Sequence, residues 1–453
     1  MLLKKIKAEG LAHLSYLVGS DGKAAVIDPR RDCGIYLDIA DEENLRITHI
    51  LETHRNEDYV TGSRELASLT GAEVLHGPMD IGYGRTVNDG EAVDLGQATL
   101  RALWTPGHTP ESTSYVLHDR SAGGQAVGVF TGDTLFVGEV GRTDLLGKER
   151  TAELASNLYD SLHRRLLPLG DEVIIYPAHG AGSHCGGSIS DREESTIGLE
   201  VANNSALRFG TREEFVAMKL GEELERPYYF RRMEDINLVG APLLGHLPRP
   251  AALSSGEFAA AAKGAIMLDV RPPAAFSGGH VPQSISIPLE VLPNYVGWML
   301  DYGRPVLLIT DGQEASDAAV RTLVRTGYDD IAGRLGDGVE GWAKTGHNVG
   351  AFPSVAPREL HDRISGGEDL FVLDVRTSKE WKEGRVEGST HIFVGHLAAC
   401  MDRVPRGRTV AVLCSSGVRG SIGASILHNA GYDVLNVLGG TTGWKRSGLP
   451  LFR

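Results

Sequence analysis

Thr53-His54-Arg55-Asn56-Glu57-Asp58-Tyr59 is the stretch from which the fold of the N-terminal half is read. It follows a β-branched, apolar run, Ile47 to Leu51, so its His and Asp stand in a loop at the end of an expected strand. Two later stretches have the same form. Thr105-Pro106-Gly107-His108 and Phe130-Thr131-Gly132-Asp133 each set one metal-binding side chain at a Gly-bearing turn. Two imidazoles and one carboxylate, with the other coordination positions open, are the donor set of mononuclear non-haem Fe(II) oxygenases. A lone His is usually a surface or hydrogen-bonded core residue. The ordered set His54, Asp58, His108, Asp133 and His179, each in its own loop motif, is not expected from packing alone.

Strand-like runs surround these loops. Ala24 to Ile27, Ile47 to Leu51, Val127 to Phe130 and Glu172 to Ile175 end respectively at Asp28-Pro29, Thr53-His54, Gly132-Asp133 and Pro177-Ala178-His179. Chemistry gathered at strand ends predicts an α/β sandwich with its active site along one sheet edge. Residues from Asp191 to Gly240 read as a helical tail, closing a domain over 1–243.

An internal repeat organises the second half. Leu268-Asp269-Val270-Arg271 returns as Leu373-Asp374-Val375-Arg376, Thr326-Gly327-Tyr328 as Ala430-Gly431-Tyr432, and Gly341-Trp342 as Gly443-Trp444. Two copies of one fold explain the constant order. Short β-rich runs, Ala265 to Val270 and Val306 to Thr310, alternate with a helical stretch, Ser316 to Thr326; the second copy has Asp369 to Val375, Thr409 to Leu413 and Val418 to Ala430. This is the rhythm of a parallel α/β sheet. Pro-rich stretches, Leu244 to Pro250 and Ala351 to Pro357, read as linkers and divide the half into 244–350 and 351–453.

Bulk properties exclude several classes. A chain of 453 residues exceeds one hydrophobic core, and 42% apolar with 23% charged residues is ordinary globular composition. A formal charge of -14 argues against nucleic acid or an anionic membrane as the main partner. The N-terminus has no signal-peptide core and no segment is apolar for long enough to span a bilayer, so a cytoplasmic protein is expected. Cys33, Cys185, Cys400 and Cys414 are too scattered for a disulfide scaffold and read as free thiols.

Through Val26-Ile27-Asp28-Pro29, Thr53-His54 with Asp58 and Gly62, the turns at His108 and Asp133, Gly141-Arg142-Thr143-Asp144 and Pro177-Ala178-His179-Gly180, the first half resembles the metallo-β-lactamase superfamily, and within it the persulfide dioxygenases related to glyoxalase II. The resemblance implies an αββα sandwich and one Fe(II), with zinc as a substitute, held by His54, His108 and Asp133. Hydrolases of the superfamily bind two metals through T-H-x-H-x-D-H. Here Asn56 and Tyr59 replace two of those His, which removes a nitrogen ligand from each site. Asp58, Tyr59 and His179 are then expected as hydrogen-bonding groups around the iron ligands. Arg142 has two open readings, orienting a carboxylate of a thiol such as glutathione or forming a structural salt bridge. Cys185, in Gly182-Ser183-His184-Cys185-Gly186-Gly187, is either a small buried thiol or an acceptor that presents persulfide sulfur to the iron.

The last copy carries Leu413-Cys414-Ser415-Ser416-Gly417-Val418-Arg419-Gly420, which follows a strand and opens a helix. A Cys there sits among backbone N–H groups at a helix N-terminus beside an Arg, which favours a thiolate and an anionic transferred sulfur. With the repeated elements, this resembles a rhodanese whose loop Cys carries a persulfide. A tyrosine phosphatase loop spaces its Cys and Arg one residue further apart. The first copy reads Ile309-Thr310-Asp311-Gly312-Gln313 instead, and no Cys occurs between Gly187 and Ala399, so that domain is expected to be inactive, to orient its neighbours or to support a homo-oligomer. The expected whole is a fusion of sulfide detoxification, using a thiol persulfide, O2, sulfite and thiosulfate. Its rivals are a dinuclear zinc thioester hydrolase of the glyoxalase II type and a sulfur carrier with a non-catalytic N-terminal domain.

Overall fold

Residue alternation builds the N-terminal layers. Along the strand Lys23–Ile27, Ala25 and Ile27 enter one apolar layer and Ala24 and Val26 another, as the two-residue period of a strand requires. The first layer lies between two six-stranded sheets and joins Tyr16, Leu51 and Leu75 to Leu100, Tyr115 and Phe130. Outside the first sheet, helices Gly34–Glu42 and Ser63–Thr70 bury Tyr36, Ala40 and Leu66; outside the second, Lys148–Asp160 and Arg212–Leu220 bury Ala155, Leu158 and Phe215. The arrangement is helix, sheet, sheet, helix. This computed structural model describes every residue except His184, Glu223 and Arg453, so the His184 of the Cys185 loop lies outside the described residues. Its chain forms two compact units, Met1–His246 with Val324–Gly327, and Leu247–Leu323 with Tyr328–Arg453.

The first sheet runs in chain order from Leu2–Ala8 to Arg85–Thr86, antiparallel for its first three strands and parallel after them. In the second sheet, Ala126–Gly132 pairs in parallel with Ile174–Pro177. That last strand starts later than the expected Glu172, because Asp171 and Glu172 fall in a turn where Val173 N–H donates to Gly170 O. It then continues to Pro177, opposite Gly132, and so delivers His179 beside Asp133.

The helical tail comprises Ile197–Asn203, Arg212–Leu220 and Phe230–Val239. Its last helix clamps the His54 loop. The Asn237 amide donates to Asn56 O and Tyr59 O, both at 2.7 Å, and its oxygen accepts from Thr61 N–H at 3.0 Å.

In the C-terminal unit each copy has five parallel strands in the same order. The first runs Ala252–Leu253, Ile331–Leu335, Val306–Ile309, Ile266–Asp269, Ile285–Ser286; the second runs Ser354–Val355, Val434–Val437, Thr409–Leu413, Leu370–Asp374, Thr390–His391. Part of the second expected linker is therefore structure. Ser354–Val355 adds an edge strand to Val434–Val437, and Pro357 opens the helix Pro357–Ser365, where its missing N–H is no loss. The first copy's helix begins at Gly312, earlier than expected. The repeated Leu-Asp-Val-Arg is one ion pair made twice. Arg271 grips buried Asp269 and donates to Gly279 O, and Arg376 does the same to Asp374 and Gly384 O. The copies also meet. Ser286 of the first contacts Ser421 Oγ at 2.8 Å and Ser425 Oγ at 3.1 Å, and Asn429 donates to Ser284 O, all on the helix Val418–Asn429. Among the described residues no helix is long and apolar enough to cross a membrane.

Replacing Asn237 with Ala strands three buried backbone groups of the His54 loop. A loss of about 1–3 kcal/mol is expected, read as a lower first transition in calorimetry of the full chain.

Candidate metal centre and cysteine loop

Four strand-end loops bring His54, His108, Asp133 and His179 to one buried point. Asp133 Oδ2 lies 3.6 Å from His54 Nε2 and 3.5 Å from His108 Nε2, and these three residues form a compact donor group. His54 Nε2 has no hydrogen-bond partner, and His108 Nε2 has only the Glu57 carboxylate beside it, at 3.1 Å. An orphaned, buried nitrogen is costly unless something binds it.

Hydrogen bonds on the opposite ring nitrogens fix both imidazoles in a ligating form. His108 Nδ1 is 2.9 Å from Arg142 O, and a carbonyl only accepts, so Nδ1 carries the proton. His54 Nδ1 is 2.9 Å from Thr53 Oγ1, whose own proton goes to Asp28 Oδ2 at 2.7 Å. Thr53 N–H donates to Asp28 Oδ1 as well. Ionised Asp28 accepts both bonds, which leaves Thr53 Oγ1 to accept from His54; burial pushes the Asp28 carboxyl up to about 7 against those two bonds. Nε2 of each ring is then the atom that can offer a lone pair to a cation.

Asp133 has a third imidazole. His179 Nδ1 lies 2.7 Å from Asp133 Oδ1, while its Nε2 lies 3.0 Å from Asp58 Oδ2. Burial disfavours a charged His179, but the carboxylates of Asp133 and Asp58 overcome it and raise the imidazole well above its ordinary value. Tyr59 behaves differently from expectation. Its hydroxyl is buried with no hydrogen-bond partner, and its ring lies 4.0 Å from that of His13. Asn56 turns away from the centre and donates to His54 O at 3.3 Å.

Arg142 is buried. Its guanidinium holds Asp144 through two bonds, at 2.7 and 2.8 Å, and donates to Glu225 O. That is the salt-bridge arrangement, and it places the carbonyl that orients His108. Cys185 is fully buried, with Sγ 3.4 Å from Glu57 Oε1, and burial keeps its thiol protonated. It groups with Asp58 and His179, and again with Glu57 and Asp133.

Two residues at the centre were not singled out in the sequence. Glu57 Oε1 stands 3.1 Å from His108 Nε2 and Oε2 stands 3.9 Å from His54 Nε2. Burial opposes its charge, but His108 and His54 hold the carboxyl at about 2; reciprocally, Glu57 lifts buried His108 to about 9. His13 is fully buried with both nitrogens unpartnered, and it lines a cavity of about 240 Å³ together with His179, Pro177 and Lys7. A capacity to donate to metal or proton marked Glu57 in the sequence; nothing in its spacing marked His13.

In the last copy Cys414 is buried and its Sγ accepts from Gly417 N–H at 3.0 Å. The loop is pinned by the turn before the Gly-Trp helix: Thr441 N–H donates to Cys414 O and Thr442 N–H to Ser415 O. Gly440 is needed there, since a Cβ would stand 2.2 Å from Cys414 O at a φ of +50°. Arg419 is committed to Glu380 by two bonds of 2.6 Å and donates to Ser415 Oγ at 2.7 Å, so much of its charge is already paired. Burial raises the hydroxyl of Tyr295, from the copy without a Cys, and the charge of Arg419 nearby opposes that rise. Ser416 and Val418 complete the turn, with Ser416 O accepting from Gly439 N–H and Val418 opening the helix.

Comparison with known proteins agrees with this division. The model of the metallo-beta-lactamase superfamily matches residues 8–179, and that of the rhodanese-like domain matches 256–345 and 356–447. The mitochondrial persulfide dioxygenase ETHE1 of Bos taurus is 30% identical over 188 residues, which cover 40% of this chain and 68% of that protein. The hydroxyacylglutathione hydrolase of Rhodospirillum rubrum is 35% identical over 162 residues, 35% of this chain and 57% of that protein. A crystal structure described as a metallo-beta-lactamase from Staphylococcus aureus subsp. aureus COL superposes with a TM-score of 0.66 at 33% identity, over 74% of this chain and 98% of that one.

Replacing Thr53 with Val removes the acceptor for His54 Nδ1–H. Affinity for a divalent metal should fall about 10–100-fold in competition against a chromogenic chelator.

Proposed function

Because the chain belongs to the metallo-beta-lactamase superfamily through its N-terminal unit and carries two rhodanese-like domains behind it, we propose that it is a persulfide dioxygenase joined to a sulfurtransferase. Its substrate would be a low-molecular-weight thiol persulfide, glutathione persulfide first among them, with domain limits at 1–243, 244–350 and 351–453. One observation supports the oxygenase half: the buried convergence of the Asp133 carboxylate with the Nε2 atoms of His54 and His108 in one compact donor group. These donors suit one Fe(II), with zinc as a substitute, and a bound iron supplies neighbouring coordination positions for a persulfide sulfur and O2.

The surrounding residues hold that donor set. Arg142 O and the Asp28–Thr53 pair fix the ring orientations of His108 and His54. His179, positioned by Asp58, donates to Asp133 and steadies the shared carboxylate. Cys185 donates its S–H to Glu57. The net reaction takes R–S–SH, O2 and water to R–SH, sulfite and two protons, with the oxygen atoms of O2 and of the water ending on the outer sulfur.

Cys414 supplies the second chemistry. A persulfide on its Sγ is attacked at the outer sulfur by sulfite; the S–S bond breaks, Cys414 leaves as thiolate and thiosulfate forms. The Gly417 N–H at 3.0 Å stabilises the thiolate. Run in reverse toward a thiol acceptor, the same exchange regenerates the oxygenase substrate.

Relatives named as hydroxyacylglutathione hydrolases supply the second reading, a dinuclear zinc thioester hydrolase. Asn56 and Tyr59 speak against it, since neither offers an imidazole. Anaerobically purified protein is expected to hold one iron per chain and to consume O2 with glutathione persulfide. Two zinc ions with thioester turnover would establish the rival, and absence of metal or turnover would leave only a sulfur carrier. In the same preparation, Cys414→Ser should abolish sulfur transfer and spare O2 uptake; loss of both would refute separate sites.

A further inference from the structure

We infer that Glu57 is a fourth protein ligand of the metal held by His54, His108 and Asp133. The inference rests on the metal-binding part of the reading above and not on which substrate is oxidised.

Geometry puts the carboxylate on the same point as the other donors. Glu57 lies 3.1 Å from His108 Nε2 and 3.9 Å from His54 Nε2, and it groups with Asp133 within 4.8 Å. The backbone explains why this residue is presented. Asn56 is turned back onto His54 O and Asn237 holds the carbonyls of Asn56 and Tyr59; of the two residues between them, Glu57 reaches His108 and Asp58 reaches His179. The donor lost where the superfamily pattern has a second His is thereby replaced from the next position.

Electrostatics makes the same demand. The Glu57 side chain is 1% exposed, and its Oε2 has no hydrogen bond. Its ion-pair partners are His54 and His108, which become neutral once they ligate through Nε2. Glu57 would then be a buried charge without a counterion, a costly state unless the metal itself is the counterion. A divalent ion with Asp133 and Glu57 has no net charge, whereas with Asp133 alone the assembly is positive beside an unpaired carboxylate. An oxygen-rich set of this kind suits Fe(II) or Mn(II) over softer ions, and a six-coordinate ion keeps two positions instead of three. Two positions admit a sulfur and O2 together and leave no place for a chelating substrate.

The full chain loaded with Mn(II) tests this by the broadening of its EPR lines in water enriched in oxygen-17, which counts coordinated waters. Two waters are expected in the native protein and three in Glu57→Ala. Three in the native protein, an equal count in both, or no bound Mn(II) overturns the inference. If Glu57→Ala fails to fold, the native count decides alone, as does a crystal structure of the Mn(II)-loaded protein in which a Glu57 oxygen stands at bonding distance, about 2.0–2.2 Å, or beyond it. Failure of the iron-loaded enzyme to consume O2 with a persulfide would sink the oxygenase reading while leaving the water count intact.

Discussion

Everything at the N-terminal centre depends on the Asp133 carboxylate lying within reach of three imidazoles in a place without solvent. Its side chain is fully buried, with His179 at 2.7 Å, His108 at 3.5 Å and His54 at 3.6 Å. Burial alone would neutralise Asp133; His179 and His54 reverse that and keep it ionised. Such a group can exist only where the two sheets come close together. Gly132, at a φ of +54°, allows it, since a Cβ there would stand 2.6 Å from Thr53 Oγ1. Any side chain would displace Thr53 and, through it, the ring of His54. Ala178 N–H donating to Gly132 O, and Leu14 N–H donating to Ala178 O, complete the edge.

Much of this was legible before any coordinates. His54, His108 and Asp133 each close a strand with a local turn signature, so their neighbourhood in sequence reports their place on the sheet edge. The two copies of Leu-Asp-Val-Arg were legible for a related reason: the ion pair lies two residues apart, between Asp269 and Arg271 and between Asp374 and Arg376. What escaped was non-local or too short to show a period. Asn237 acts on carbonyls about 180 residues away in sequence, and Ser354–Val355 is a strand of two residues inside a Pro-rich stretch. Glu57 stood in view, but a charged residue in a loop is ordinarily solvated. The turn of Asn56 onto His54 O and the clamp by Asn237, neither of them visible in the sequence, accompany its inward course.

The copy without a Cys has kept the sheet order, the Asp–Arg pair and the Gly-Trp helix of its partner. These features serve folding, which explains why they persist where the nucleophile loop reads Thr310-Asp311-Gly312. Its contacts with the other copy include the helix that the Cys414 loop opens, through Ser284 and Ser286, and the rings of Phe393 and His396, through Trp298. A helix held along its side keeps its start in place, and with it Gly417, whose N–H the Cys414 sulfur accepts.

The two centres are electrostatic opposites. Around His54, three buried carboxylates, Glu57, Asp58 and Asp133, face imidazoles whose neutral form would leave negative charge in excess, an environment that selects a cation. Around Cys414, the Gly417 N–H faces the sulfur atom and Arg419 is shared with Glu380, an environment that suits a monoanionic sulfur without gathering strong positive charge. On the proposed reading a persulfide anion would suit both, its outer sulfur as a ligand at the first centre and a transferable group at the second. The carboxylate cage repels a bare anion unless a cation is present, whereas the Cys414 loop offers a backbone N–H to one.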